Sequence, residues 1–211
     1  MILVAGGTGT LGTQLVRLLT ERGRPVRVLT RDPGRAAQLP GTVETITGDV
    51  RDPATVAAAV AGCTTVVSAV HGFAGPGRPS PESVDRDGNR ALIQAAAAAG
   101  AEHVVLVSVL DAAPDHPMSL HRAKFAAEQA LRTSGLAWTI VRPAAYLRGH
   151  APPLARPPSP QSPPRHRPSE ENSPRPGLRL GAGRALRHGE VARARRRLVE
   201  AVSDPRAEPG D

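Results

Sequence analysis

The sequence predicts an α/β fold with a doubly wound parallel sheet over residues 1–148. Short apolar runs alternate with amphipathic helical patterns through this region, and glycines cluster directly after the first apolar run. Because strands that alternate with helices form βαβ units, this order predicts a parallel sheet covered by helices. A chain of 211 residues is long enough to bury one sizeable core of this kind.

Six apolar runs have the length of buried strands. In chain order they are ILVA, PVRVLT, VETIT, TTVVSAV, HVVLVSV and AWTIVRP. Four segments between these runs have helical spacing, and each ends at a glycine, the usual helix stop. These predicted helices cover residues 11–23, 52–62, 84–100 and 119–135.

Residues 149–211 have a different composition. They are rich in proline and arginine, and they hold too few apolar side chains to offset the entropy of ordering the chain. One interpretation is a disordered or irregular tail. The other is that part of this segment is translated out of frame, with helical spacing returning over residues 190–203. Translation of the gene's other two reading frames would distinguish them.

The charge and composition exclude several classes of function. The formal net charge is +8, and most of it lies beyond residue 150. That segment lacks aromatic side chains for base stacking, so we predict no specific nucleic-acid binding. The apolar runs are too short to cross a membrane and no secretory signal is present, so we expect a cytoplasmic protein with a small-molecule substrate. One cysteine, Cys63, and scattered histidines and acids predict no metal site.

The glycines after the first strand form a dinucleotide-binding pattern. Gly6, Gly9 and Gly12 are spaced G-x-x-G-x-x-G, between a predicted strand and an amphipathic helix. Glycines at these positions allow a tight turn and a close approach of backbone to a pyrophosphate. The start of the following helix faces the phosphates with free N–H groups. We therefore predict that Gly6, Gly9, Thr10, Leu11 and Gly12 bind the cofactor.

The end of the second strand indicates which dinucleotide binds. An NAD-binding fold usually carries an acid there for the ribose 2′-hydroxyl, whereas this chain has Thr30 and Arg31. A guanidinium suits a 2′-phosphate, so NADP(H) is the preferred cofactor. The neighbouring Asp32 keeps NAD(H) as the alternative. After the third strand, we predict that Asp49 binds the adenine amino group and that Val50 covers the ring.

Residues 1–147 carry a set of motifs in unbroken order: VAGGTGTLG, LTRDP, GDVRDP, VDRDGNRALIQAAAAAG, HVVLVSV and AKFAAEQALRTSGLAWTIVRP. Together they resemble the NmrA-like, atypical branch of the short-chain dehydrogenase/reductase superfamily. The resemblance implies a Rossmann fold that binds NAD(P)(H), with a C-terminal part that completes a substrate pocket. Beyond Leu147 the family pattern is lost, apart from the helical spacing near residue 190.

The resemblance also implies a catalytic set of Ser, Tyr and Lys. In that set the lysine holds the nicotinamide ribose, and a tyrosine four residues before it exchanges a proton with the substrate. Ser108 and Lys124 match the serine and the lysine, and we predict that both are catalytic. Leu120 stands at the tyrosine position and cannot donate a proton. His121 and Tyr146 are the alternative acids nearby.

These observations predict an NADPH-dependent oxidoreductase that acts on a small carbonyl or quinone-like acceptor. The missing tyrosine leaves a second interpretation, a non-catalytic module that senses NADP(H). The altered C-terminal segment leaves a third, a damaged product without its substrate pocket. In the loop after the fourth strand, His71 and Phe73 are interpreted either as nicotinamide contacts or as residues that merely close the loop.

Overall fold

A computed structural model describes residues 1–72 and 79–143 of the chain. Its strands are β1 (Ile2–Ala5), β2 (Val26–Thr30), β3 (Glu44–Thr47), β4 (Thr65–Ser68), β5 (His103–Val107) and β6 (Ala137–Val141). Its helices are α1 (Thr10–Glu21), α2 (Pro33–Ala36), α3 (Pro53–Val60), a π-helix (Glu82–Gly88), α4 (Asn89–Ala98) and α5 (Ser119–Arg132).

In these residues the six strands form one parallel sheet in the order β3-β2-β1-β4-β5-β6. This is the order of a doubly wound, Rossmann-type sheet, in which the chain runs outward first to one side of β1 and then to the other. The predicted fold class and all six predicted strands are confirmed. The glycines predicted to end the helices follow them in the structure, and all four have a positive φ: Gly23, Gly62, Gly100 and Gly135.

Helices cover both faces of the sheet. Along β1, Leu3 packs into a core with α3, α4 and α5, whereas Ile2 and Val4 pack into a second core with α1. Successive side chains of a strand point to opposite faces, so a strand buried on both sides is apolar throughout. Among the described residues, no helix is both long enough and apolar enough to cross a membrane.

Two helical features differ from the prediction. The short helix α2 was not predicted; it begins where the Asp32 side chain accepts a hydrogen bond from the Arg35 N–H. The predicted helix over residues 84–100 begins instead with the π-helix and continues as α4. Here the Asn89 side chain donates to the Asp85 carbonyl oxygen at 2.7 Å, the acceptor that the backbone N–H of residue 89 would use in an α-helix. The predicted tail, including the helix over residues 190–203, lies outside the described residues.

A buried carboxylate joins α5 to the ends of β5 and β6. Ser108, directly after β5, donates to Glu128 Oε1 at 2.6 Å. Arg142, directly after β6, donates from Nε to the same oxygen at 2.8 Å, and Arg132 Nη1 donates to Oε2 at 3.0 Å. Burial raises the pKa of Glu128, but these donors outweigh burial and hold the pKa below its ordinary 4.5.

Replacing this carboxylate should give a pH-dependent loss of stability. Glu128→Gln is expected to lower the free energy of unfolding at pH 7 by about 1–2 kcal/mol, because Ser108 and Arg142 lose a charged acceptor. The loss is no larger because water partly screens the charges of Arg132 and Arg142. A carboxyl whose folded pKa lies below 4.5 stabilises the fold above that pH, and this contribution disappears as the pH falls through the folded pKa. Urea unfolding at pH 7 and at steps below pH 4.5 measures the difference, which should shrink in acid. Glu102→Gln, at an exposed position, is the control, and a difference that stays constant with pH would contradict the assignment.

Candidate cofactor and catalytic site

The glycine turn after β1 leaves no room for side chains. Gly6 has a φ of +82°, a left-handed conformation that favours glycine. A Cβ atom on Gly6 would lie 2.6 Å from the Ala69 carbonyl oxygen, and one on Gly12 would lie 2.1 Å from the Gly6 carbonyl oxygen. Both obstacles are backbone atoms, which cannot swing aside as a flexible side chain can. The turn is therefore packed tightly between the start of α1 and the loop after β4.

The N-terminus of α1 is suited to an anionic ligand. Its N-cap residue, Gly9, offers no side-chain hydrogen bond, and the first turn contains no acidic side chain. The N–H groups at Thr10, Leu11 and Gly12 belong to this first turn, where a helix has donors without intrahelical partners and the positive end of its dipole. The predicted cofactor-binding residues thus fit a pyrophosphate, through backbone donors and the absence of side-chain bulk.

A cavity of about 290 Å³ opens beside this helix start. It is lined by Thr8, Gly9, Thr10, Thr13, Arg17, Arg35 and Gln38. The two arginines give this surface a positive charge beside the glycine turn, and neither was predicted from the sequence. Thr10, Thr13 and Arg17 share one face of α1 at spacings of three and four residues, and this pattern could have identified Arg17. No spacing pattern in the sequence indicates Arg35, because it reaches the cavity through α2, a helix of only four residues that the sequence did not predict.

Asp49 and Val50, after β3, each have a partner within the protein. The Arg51 side chain donates to both Asp49 oxygens, at 3.0 Å from Nε and 2.7 Å from Nη2. This hydrogen bonding outweighs burial and lowers the pKa of Asp49, and the charge of Arg31 adds to the effect. Val50 is buried against the π-helix, where a Cβ atom on Gly88 would lie 2.7 Å from Val50 Cγ2. Binding of adenine by these two residues stays a prediction.

Lys124 forms a buried ion pair with Asp85 of the π-helix. Lys124 Nζ lies 3.0 Å from Asp85 Oδ1, and the two side chains are 3% and 0% exposed. Nζ also donates to the Val70 carbonyl oxygen at 3.0 Å, while the Gly72 N–H donates to Asp85 Oδ2 at 2.7 Å. Burial lowers the pKa of Lys124, and the Asp85 charge partly offsets this effect. The pair therefore joins α5, the π-helix and the loop after β4.

The sequence analysis missed Asp85, although the helical pattern contains a signal for it. Asp85 and Asn89 share a helix face with Leu92 and Ala96, and all four residues are buried. Two polar side chains on an apolar helix face need partners inside the protein. The helix spacing thus indicates a buried polar site, but it does not indicate that Lys124 is the partner.

The structure gives the two predicted catalytic residues different partners. Ser108 is 2% exposed and donates to Glu128, whereas Lys124, one helical turn before Glu128 on α5, pairs with Asp85. No hydrogen bond joins Ser108 to Lys124 in the described part of the chain. Leu120 is half-buried at the position implied for tyrosine. Catalysis by Ser108 and Lys124 stays a prediction.

Of the two alternative acids, the structure describes only His121. His121 stacks on His116 with ring centroids 3.9 Å apart, and burial followed by the His116 charge lowers the pKa of His121. Tyr146 and Phe73 lie outside the described residues. Within residues 1–72 and 79–143, no group of three or more His, Cys, Asp or Glu side chains is placed to hold a metal ion.

The close packing of the glycine turn can be tested by adding one methyl group. Glycine to alanine in a helix usually stabilises a protein by up to about 1 kcal/mol. Gly12→Ala should instead lower the free energy of unfolding by about 2 kcal/mol, because its Cβ atom would lie 2.1 Å from the Gly6 carbonyl oxygen. Chemical denaturation measures the change. In the matched control Gly41→Ala the new Cβ atom meets no atom within 4 Å; a stabilised Gly12→Ala variant would show that the turn has room.

The buried ion pair can be tested by removing its cation. Lys124→Met should cost about 3 kcal/mol of unfolding free energy, because Asp85 is left buried without a counter-charge. The double variant Asp85→Asn/Lys124→Met should be less destabilised than Lys124→Met alone. Arg90→Met, which removes a side chain that is 51% exposed, serves as the control and should change stability little. Equal losses for Lys124→Met and the double variant would show that no charge coupling exists.

Comparison with known proteins identifies a family and several relatives. A family model described as NAD(P)H-binding matches residues 6–163. The NAD(P)H azoreductase of Xenophilus azovorans is 39% identical over 149 residues, which cover 70% of this chain and 49% of the relative. The chain spans about half the length of the curated relatives that it matches.

Two solved structures have the same architecture. The NADPH complex of an NADPH-dependent quinone oxidoreductase from Escherichia coli is 25% identical, with a TM-score of 0.55 over 67% of this chain and 48% of that one. The anaerobillin reductase ChuY, also from Escherichia coli, is 28% identical, with a TM-score of 0.56 over 67% of this chain and 71% of that one. The family resemblance inferred from the sequence is thereby confirmed. With a family match over most of its length, a Rossmann-type strand order and a glycine turn at the start of α1, the chain belongs to the NAD(P)H-binding family.

Proposed function

We propose that the chain is an NADPH-dependent oxidoreductase that reduces a small carbonyl or quinone-like acceptor. The observation that carries the proposal is the glycine turn, where backbone atoms fill the space that a Cβ on Gly6 or Gly12 would need and the first-turn N–H groups of α1 suit a pyrophosphate. Reduced nicotinamide would supply the hydride. The names of the azoreductase relative and of the quinone oxidoreductase neighbour support this class of reaction.

The charges around the end of β2 favour NADPH over NADH. Arg31 lies exposed at this position, and Arg35 lines the cavity beside the glycine turn. The acid that would favour NADH is already used, because Asp32 caps α2 and lies 3.4 Å from the Arg35 guanidinium. A 2′-phosphate would therefore meet the guanidinium groups of Arg31 and Arg35. A 2′-hydroxyl would instead have to compete with the N–H group of α2 for the Asp32 carboxylate.

Lys124 is suited to hold the nicotinamide ribose. An ammonium group has three donors. Among the described residues, Lys124 Nζ uses one toward the Val70 carbonyl oxygen and one toward Asp85, which leaves one donor for a ribose hydroxyl. Both partners hold the ammonium in place, so little side-chain entropy would be lost when the cofactor binds. A cofactor domain bounded by residues 1–148 and a location in the cytoplasm are parts of the same proposal.

A second candidate function is an NADP(H) sensor without turnover. Leu120 favours it, since the usual proton donor of the superfamily is missing. A screen of quinones, azo dyes and simple carbonyl compounds for NADPH oxidation separates the two functions. Binding of NADPH without oxidation by any acceptor would favour the sensor. A chain that neither binds NADPH nor unfolds cooperatively would instead indicate the damaged product considered above.

Titration of NADPH and NADH, followed by nicotinamide fluorescence, tests the cofactor preference. Arg31→Ala is expected to raise the Kd for NADPH about tenfold, equivalent to about 1.4 kcal/mol, and to leave the Kd for NADH within twofold. Arg24→Ala, at an exposed position before β2, is the matched control and should change neither value. Equal weakening of both cofactors by Arg31→Ala would contradict a role in binding the 2′-phosphate.

A further inference from the structure

The proposed reaction needs an acid that the expected catalytic set does not supply. Reduction of a carbonyl or a quinone by hydride adds one hydride and one proton. Leu120 has no proton to give, and the Ser108 hydroxyl donates to the buried Glu128 carboxylate. A different group at the cofactor site must therefore donate the proton. His71, after β4, is placed to do so.

His71 lies in the crevice where doubly wound sheets bind their ligands. The strand order reverses between β1 and β4, and such sheets bind cofactors outside the carboxyl ends of the strands at that point. The loop after β4 contacts the glycine turn directly: a Cβ atom on Gly6 would lie 2.6 Å from the Ala69 carbonyl oxygen and 3.1 Å from the Val70 nitrogen. His71 is the next residue, and its side chain is 43% exposed.

Asp85 approaches the His71 ring from the interior. The distance from His71 Nδ1 to Asp85 Oδ1 is 3.6 Å, and the Asp85 side chain is completely buried. Among the described residues, Oδ2 accepts the Gly72 N–H and Oδ1 accepts no aligned hydrogen bond. Lys124 Nζ lies 3.0 Å from Oδ1, at ion-pair distance, and also donates to the Val70 carbonyl oxygen. Oδ1 is therefore a buried acceptor that faces both His71 and Lys124.

The environment keeps this acceptor charged. Burial raises the pKa of Asp85, but His71, the Lys124 charge and the Gly72 N–H together outweigh burial and lower it. An ionised carboxylate behind Nδ1 orients an imidazole ring, and Nε2 lies on the opposite side of that ring. His71 thus has an acid partner behind it and the cofactor turn beside it.

We propose that His71 is the proton donor of the reaction and that Asp85 and Lys124 position it. As the acceptor carbon receives the hydride, its carbonyl π electrons move to oxygen. The Nε2–H bond of the His71 imidazolium then breaks, and the proton passes to that oxygen. The neutral imidazole regains a proton from solvent, so one hydride and one proton are consumed for each acceptor. This inference rests on the proposed oxidoreductase function.

Replacement of His71 tests the assignment. His71→Asn and His71→Ala should bind NADPH within twofold of the wild-type Kd and should reduce the acceptor about a hundredfold more slowly, the usual size of a general-acid effect. Added imidazole should restore part of the rate of His71→Ala, because it can enter the space left by the ring. A residue with a merely structural role would not show this rescue. His116→Asn, the same substitution outside the site, is the control and should keep the wild-type rate.

A second measurement needs no turnover. Diethyl pyrocarbonate modifies accessible imidazoles, and peptide mass spectrometry can follow His71 separately from the other histidines. Saturating NADPH should slow modification of His71 at least fivefold and should leave His116 unchanged. Unaltered modification of His71 in the presence of bound NADPH would overturn the inference, because the ring would then lie away from the cofactor.

The outcomes separate this inference from the function on which it rests. If the wild type reduces an acceptor and His71→Asn does so at the same rate, the inference is overturned and the proposed function stands. If the wild type binds NADPH but reduces no acceptor, the proposed function and the inference are both overturned. A rate loss in His71→Ala that imidazole does not rescue, together with weakened NADPH binding, would assign His71 to structure rather than to proton transfer.

Discussion

The contact between Gly12 and the Gly6 carbonyl oxygen is the constraint on which the described structure depends. It brings the start of α1 against the end of β1, where only a hydrogen atom fits between the helix and the turn. The same turn touches the Ala69 carbonyl oxygen, so β1, α1 and the loop after β4 meet at one point. Because the sheet order reverses there, the packing also creates the crevice in which a dinucleotide would lie.

Helix α5 extends this arrangement across the sheet through two buried charged residues one turn apart. Lys124 pairs with Asp85 of the π-helix, and Glu128 accepts from Ser108 and Arg142 at the ends of β5 and β6. A buried charge requires a partner, so each pair determines which element α5 can pack against. In the π-helix the Asn89 side chain donates to the Asp85 carbonyl oxygen, and the Asp85 carboxylate contacts Lys124 and the Gly72 N–H of the loop after β4.

The two halves of the proposed reaction rest on different parts of the molecule. The proposed cofactor binding would use backbone at the glycine turn and arginines around β2, all within the described residues. The proposed proton transfer would use the cluster of His71, Asp85 and Lys124 at the neighbouring strand end. The chain spans about half the length of its curated relatives, and the family model that matches residues 6–163 is described as NAD(P)H-binding.

The sequence by itself determined the strands, their parallel arrangement and the glycine turn, because apolar runs, helical spacing and glycine positions are local patterns that follow from backbone geometry. The roles that it predicts for Arg31 and Lys124 stay predictions. Only the tertiary structure decided which side chains meet. Asp85 and Lys124 are far apart in the chain, Arg35 reaches the cavity through a helix of four residues, and Ser108 is directed to Glu128. Partners of this kind depend on the packing of several elements at once, and no local pattern specifies that packing.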